Sequence, residues 1–244
     1  MSSFDDKAAT WDDEAKIERA RAVADAIAGA VPLEPSMRLF EYGAGTGLVA
    51  EQLASRVGPI TLADPSAGMR EVASEKVAAG SLPPTTRVWG TEIDLDVLTD
   101  KVERAATLLA FCRQKLAATE TKVKKITADL ATEGVPEDRF ELIVTVMTLH
   151  HIADLPPVLA AFAEMLTDEG RLCIVDLEAE DGSFHAGSGH DAGVGHAHDG
   201  FEPDQLAARL ADAGFTTSVE RSIHQVTKDG RAYPLFLAVS VKQP

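Results

Sequence analysis

Strands alternating with helices along the 244 residues predict an α/β fold. The expected core is a doubly wound, seven-stranded, mostly parallel sheet with helices on both faces. Three observations carry this. Apolar runs such as ELIVTVMTL (141–149) and RLCIVDLE (171–178) have the near-continuous hydrophobicity of parallel strands covered on both faces. Segments with helical spacing of apolar residues fall between such runs. The chain ends on two strands, residues 215–226 and 233–242, joined by Lys228-Asp229-Gly230, a hairpin signal that reverses one strand against the rest.

The elements follow in order. Residues 11–30 repeat Ile17, Ala20, Val23, Ala24, Ile27 and Ala28 at helical spacing, with acids near the start, where they suit the helix dipole. MRLFEY (37–42) is a strand. The glycines after it lead into a helix over residues 48–57, stopped by Gly58-Pro59. PITLAD (59–64) is the second strand. Residues 65–79 form a helix with Met69, Val72, Ala73 and Val77 on one face, and Gly80 stands where a helix C-cap belongs. The segment SLPPTTRVWGTEIDL (81–95) is loop or short strand. Val102, Ala105, Leu109, Cys112 and Leu116 mark an amphipathic helix over residues 100–119, and VKKITADL (123–130) is the expected third strand. After the 141–149 strand come a helix at 153–166, a turn at Asp168-Glu169-Gly170, the 171–178 strand, a Gly- and His-rich loop at 179–200 and a helix at 203–213. The whole is expected to be one domain, 1–244, with an N-terminal helical or lid segment, 1–35, and a helical insertion at about 81–122.

The composition excludes some functions. A formal charge of −16 would repel a nucleic-acid backbone or an anionic membrane as the main partner. No apolar run approaches the ~20 residues of a membrane span. Cys112 and Cys173 form no CxxC and read as buried reduced thiols. The N-terminus, MSSFDDKAATWDDEAK, is polar and acidic, so a cytoplasmic protein is expected.

The chemistry concentrates in LFEYGAGTG, residues 39–47, at the carboxyl end of the first strand, where doubly wound sheets bind ligands. Glycines at 43, 45 and 47 let the backbone turn sharply and approach a ligand closely. A dinucleotide fingerprint reads G-x-G-x-x-G; here the third glycine comes one residue early and Glu41 precedes the first. Asp64 ends the second strand, where a carboxylate can accept hydrogen bonds from both hydroxyls of a ribose; it could also cap the helix after Pro65.

This E-x-G-x-G-x-G loop resembles the first motif of class I S-adenosylmethionine-dependent methyltransferases. Phe140-Glu141-Leu142-Ile143 stands where that family has F-D-L-I/V, and Leu149-His150-His151-Ile152 matches the L-H-H-I/V of many small-molecule members. The resemblance covers about residues 11–80 and 123–242. It implies S-adenosylmethionine as cofactor and in-line methyl transfer to a small-molecule acceptor. It places Glu41 near the methionine amino group, with Gly43, Ala44, Gly45, Thr46, Gly47 and Met69 in the pocket. It further implies that Asp64 binds the ribose, that Asp129 takes the adenine amine and that the Leu130 N–H faces the ring. Trp89-Gly90-Thr91-Glu92 competes for the role of Asp129. Phe4 and Trp11 match the family's F-D-x-x-A-x-x-W-D lead, which folds over the cofactor as a lid or anchors to the core.

His150 or His151 is the expected base or acceptor-positioning group, since an imidazole titrates near neutrality. Packing or helix capping is the other reading of these residues. His185, His190, His196 and His198 admit an acceptor-site flap, a plain polar loop or a transition-metal site. Their spacing is not a zinc pattern, so no metal is expected. The insertion caps the acceptor pocket, mediates homodimerisation or is elaboration. A nicotinamide-dependent oxidoreductase and a non-catalytic nucleoside-binding module of the same fold remain the alternatives.

Overall fold

The computed structural model describes residues 4–90, 139–185 and 197–243. One sheet runs through them: β1 (Leu39–Tyr42), β2 (Ile60–Asp64), β3 (Arg87–Gly90), β4 (Phe140–Val146), β5 (Leu166–Leu177), β6 (Phe215–Lys228) and β7 (Arg231–Lys242). Their order is β3-β2-β1-β4-β5-β7-β6. β1 to β5 pair in parallel, and β7 runs antiparallel to both β5 and β6, so β7 is the one reversed strand. The chain leaves β1 toward β2 on one side and returns to β4 on the other. This reversal of strand order opens a crevice at the carboxyl ends of β1 and β4.

Alternation along the strands builds two cores. Leu39, Leu142, Val144, Cys173 and Val175 face one side, under α1 (Glu14–Ala30) and α2 (Leu48–Leu53). Phe40, Ile143, Leu172 and Ile174 face the other, under α4 (Leu155–Met165) and α5 (Pro203–Asp212). Adjacent residues point to opposite faces and both faces are covered, which is why these strands read as unbroken apolar runs. α3 (Ala67–Ala79) starts with the Ser66 hydroxyl accepting from Met69 N and ends at Gly80 in the left-handed region, φ 84°. No helix among the described residues is long and apolar enough to cross a membrane.

Three expectations need correction. The position beside β2 is filled by RVWG of β3, inside the stretch read as insertion; residues 123–130, expected as third strand, lie outside the described residues, as do the 100–119 helix and Cys112. Among the described residues β3 is a four-residue strand at the sheet edge, with less pattern than VKKITADL. The turn at Asp168-Glu169-Gly170 is part of β5: residues 167–170 bulge between Leu166, opposite Phe140, and Arg171, opposite Leu142. The helix expected over 48–57 ends at Leu53.

Candidate active site

Gly43, Gly45 and Gly47 all have positive φ, 68°, 55° and 78°. That alternation of left-handed residues strains any side chain and explains the spacing of the glycines. A Cβ on Gly43 would lie 2.3 Å from Thr148 Oγ1, and one on Gly47 2.8 Å from Leu62 Cδ1. The N–H groups of Gly43 and Ala44 donate to Ala63 O (2.8 and 3.1 Å), tying the loop to the end of β2.

Asp64 lies beside this loop. Its carboxylate accepts from Gly45 N (2.7 Å) and Ser66 N (2.8 Å), one N–H on each oxygen. Each oxygen keeps lone-pair capacity for a ligand hydroxyl, and the two amides fix its direction. Burial raises its pKa, against the two N–H bonds and Arg70. Glu41 is deeper, 3% exposed, with Oε2 accepting from Ala50 N at 3.0 Å. Burial pushes its carboxyl up to about 8, opposed chiefly by that N–H.

These groups open on a crevice of about 510 Å³. Trp11, Glu41, Gly43, Ala44, Gly45, Thr46, Asp64 and Met69 line it, so eight of the residues expected to surround the cofactor share one cavity. Gly47 is the N-cap of α2, behind it. Asp129 and Leu130 lie outside the described residues. The N-terminal segment crosses the crevice: Phe4 and Trp11 meet edge to face at 5.8 Å, and both line it. Asp5 Oδ1 accepts from Ser66 Oγ (2.6 Å) and Gly68 N (3.0 Å), while Asp12 accepts from Thr46 Oγ1 (2.5 Å) and pairs with Lys76 (2.7 Å). The segment is therefore both pinned to the core and part of the cavity wall.

After β4 the backbone turns left-handed at Met147, φ 50°, and enters a short 3₁₀ turn, Leu149–His151. This sets His150 and His151 in the crevice wall with ring centroids 4.1 Å apart. His150 is buried and its Nδ1 lies 2.6 Å from Asp176 Oδ1. A carboxylate only accepts, so Nδ1 carries the proton and Nε2 of the neutral ring is the basic atom. Asp176, fully buried, also accepts from Leu177 N (2.8 Å) and His150 N (3.3 Å). Sequence reading missed Asp176. Its signal was an ionisable residue inside the apolar run LCIVDL, where burial demands a partner.

The histidine loop divides. His185 lines the crevice, 5.2 Å from the His150 ring and 5.5 Å from that of His151. His198 turns away, Nε2 donating to Ile152 O at 2.9 Å, and Ala197 N and His198 N both donate to His150 O. His190 and His196 lie outside the described residues. Among the described residues no group of three or more His, Cys, Asp or Glu could hold a metal ion. Burial pushes the Cys173 thiol up to about 12, so it is inert at neutral pH.

A seven-stranded sheet with a reversed β7, carrying a glycine loop and a buried acid at the end of its second strand, is the frame of class I methyltransferases. A family profile described as "Methyltransferase domain" matches residues 15–218, and the chain belongs to that family, whose methyl donor is S-adenosylmethionine. An uncharacterized methyltransferase of Schizosaccharomyces pombe is 25% identical over 186 residues, covering 75% of this chain and 54% of that protein, so the chain spans about half the length of the curated relative it matches. Among solved structures, a chain in complex with the Haloferax volcanii Trm112 methyltransferase activator superposes with TM-score 0.66, 15% identity and coverage of 100% and 99%. A SAM dependent methyltransferase from Aquifex aeolicus gives 0.60, 15%, 97% and 98%. The magnesium protoporphyrin IX methyltransferase of Synechocystis, solved with bound SAH, gives 0.56, 11%, 92% and 83%. These likenesses are of fold.

Proposed function

We propose that the chain transfers the methyl group of S-adenosylmethionine to a protic heteroatom of a small-molecule acceptor, with His150 receiving the acceptor's proton. The observation that carries this reading is the buried His150–Asp176 pair, 2.6 Å apart, in the wall of the same crevice that Glu41, Gly45 and Asp64 line. The cradle suits the donor. Two buried acids supply acceptors for its hydroxyl and ammonium groups, and the bare backbone at Gly45 leaves a Cβ position open to 3.7 Å, toward the Trp11 indole.

When bound, the donor supplies a methyl group on a positive sulfur: the acceptor's lone pair bonds the methyl carbon, the carbon–sulfur pair stays on sulfur, and S-adenosylhomocysteine remains. Asp64 holds the ribose with the lone pairs its two amides leave unused. Glu41 faces the amino-acid end. Trp11 and Phe4 exclude water and fix the reactants in line, which contributes several kcal/mol in such displacements, on the order of 7 in well-oriented systems. His150 takes the proton at Nε2 while Asp176 stabilises the resulting imidazolium. Glu92 and Asp129, both outside the described residues, are the two candidates for the adenine amine, and Glu92 follows the strand that pairs with β2. A cavity of about 510 Å³ shared with the donor, in a protein of charge −16, suits a small acceptor better than a nucleic acid. We read residues 1–244 as one catalytic domain working in the cytoplasm.

Calorimetric titration with S-adenosylmethionine, S-adenosylhomocysteine and NAD tests the donor. The first two should bind and NAD should not; binding of NAD alone would overturn the reading. Deleting residues 1–12 should weaken S-adenosylhomocysteine binding about tenfold, as expected for loss of an aromatic wall. Unchanged affinity would reduce that segment to a core anchor.

Glu41 gives a pH dependence of defined sign. Its folded pKa, about 8, stands above the ordinary 4.5, so on raising pH the unfolded chain releases this proton first. Stability from this group is full below 4.5 and is lost as pH rises through about 8. Glu41→Gln should flatten the fall in urea midpoint between about pH 5 and about pH 9. A variant as pH-sensitive as the parent would show that Glu41 ionises normally.

A further inference from the structure

Four rings gather on one side of the crevice, and the proposed reaction uses one of them. His150, His151, Phe184 and His185 all line the cavity. The His150 and His151 centroids are 4.1 Å apart, His185 lies 5.2 and 5.5 Å from them, and Phe184 is 5.0 Å from His185. Topology sets this group away from the donor. The glycine loop and Asp64 follow β1 and end β2, whereas Phe184 and His185 follow β5, two strands beyond β1 in the sheet. At about 4.8 Å per strand, that is on the order of 10 Å. The turn that carries His150 stands between them, after β4. A wall on the far side of the base from the glycine loop belongs to the acceptor.

The turn that presents Phe184 and His185 is held from several directions. Glu180 Oε2 accepts from Phe184 N (3.0 Å) and Ser183 Oγ (3.2 Å). Arg231 on β7 pairs with Asp181 (2.8 Å), and the Tyr233 hydroxyl shares a hydrogen bond with Ser183 Oγ (2.9 Å). The Phe184 ring meets Tyr233 edge to face at 5.0 Å, and Lys228 reaches over that ring to bond the Phe184 carbonyl. An aromatic side chain already fixed beside the base spares the entropy of ordering it when a ligand binds.

The strength of the base narrows the acceptor further. A neutral imidazole takes a proton at about pH 6.5, a phenolic hydroxyl gives one up at about 10, and an alkanol does so near the value of water, about 15.7. Transfer to His150 is therefore uphill by about 3.5 powers of ten from a phenol and by about nine from an alkanol. An amine attacks through a lone pair it already holds and makes little use of such a base. A thiol, at about 8.5, is within reach of it, and here the ring wall decides: a flat aromatic acceptor gives Phe184 and His185 an offset or edge-to-face partner, which an alkyl chain does not.

We propose that the acceptor is a phenol, its ring packed against Phe184 and His185 and its hydroxyl against His150. The proposal rests on the methyltransferase reading above and names the substrate class of that site. The phenolic proton passes to Nε2 of His150, an oxygen lone pair bonds the methyl carbon, and the carbon–sulfur pair stays on sulfur. An aryl methyl ether and S-adenosylhomocysteine result, and the imidazolium returns its proton to water.

The test is calorimetry on the full chain loaded with S-adenosylhomocysteine, titrated with phenol and with cyclohexanol, whose ring is neither flat nor attached to an acidic hydroxyl. Phenol should bind at least about threefold more tightly. Phe184→Leu should remove that preference, and His185→Gln should reduce it, while S-adenosylhomocysteine binds as to the parent. With S-adenosylmethionine, the parent should convert phenol to its methyl ether and leave cyclohexanol unmethylated. Equal binding of phenol and cyclohexanol by the parent would overturn the proposal, as would methyl transfer to cyclohexanol or an alkanethiol and none to phenol. A loss of S-adenosylhomocysteine affinity in Phe184→Leu with the phenol preference intact would give this wall to the donor and overturn it too. Failure of the parent to bind S-adenosylhomocysteine at all would instead strike the donor assignment, so the failures are distinct.

Discussion

Asp176→Asn should lower kcat by about a hundredfold or more and leave S-adenosylhomocysteine affinity within about twofold. The effect follows from a single hydrogen bond. Asp176 accepts from Nδ1 of His150 at 2.6 Å and from Leu177 N at 2.8 Å, and has no exposure to water. An amide in its place can present N–H to the ring, which favours the tautomer with Nε2 protonated and removes the basic atom from the crevice. His150→Gln should cost about a hundredfold to ten-thousandfold in kcat, and the double variant little more, because the two residues act as one unit. The readout that separates this from simple damage is the pH profile: the fall in rate toward low pH, where the base is protonated, should flatten in Asp176→Asn, with circular dichroism unchanged. A variant with normal kcat would leave the pair a packing feature of the β4–β5 junction.

Asp64→Ala should weaken binding of S-adenosylmethionine and S-adenosylhomocysteine alike, by ~1–3 kcal/mol, or about 5- to 150-fold. Two contributions add. The ribose loses its acceptor, and the glycine loop loses the carboxylate that Gly45 N donates to at 2.7 Å. Asp64→Asn separates them, since its side-chain oxygen still accepts one amide hydrogen bond while the charge is gone. It should fall between parent and Asp64→Ala. An unaltered dissociation constant in Asp64→Ala would remove this residue from the donor site. Calorimetry at fixed ionic strength measures both variants.

Much of this architecture was legible from pattern. The runs that became β4 and β5 are apolar at most of the positions that face either core, Thr145 and Asp176 excepted, so their burial could be read without knowing their neighbours. The glycine loop was legible for a backbone reason, because three alternate residues with positive φ admit little else. β3 was legible only as loop or short strand: among the described residues its four residues pair with β2 alone, and they carry less signal than the longer run that follows them. The bulge at residues 167–170 was hidden for a related cause: Asp168-Glu169-Gly170 has the local chemistry of a turn, while strand pairing on either side keeps it in β5.

The candidate site divides along the same line. Glu41 and the glycines lie within or next to one loop, so sequence proximity revealed them together, while Asp64, 19 residues beyond Gly45, was legible from its place at the end of the second strand. His150 and Asp176 are 26 residues apart and meet only because β4 and β5 are neighbours in parallel register, Val146 opposite Val175. Phe184 reaches the crevice from the turn after β5. One aromatic residue in a Gly- and His-rich loop carries no local signal; its meaning comes from the Glu180 and Tyr233 contacts that hold the turn against the cavity.

The most direct measurement is a crystal structure of the chain with S-adenosylhomocysteine. The ribose hydroxyls should meet the Asp64 carboxylate, with the amino-acid end beside Glu41 and the Gly43–Gly47 backbone and the thioether sulfur facing the cavity wall that holds His150. Density for the ligand elsewhere on the sheet, or a filled crevice in which Asp64 touches only Gly45 and Ser66, would contradict this account.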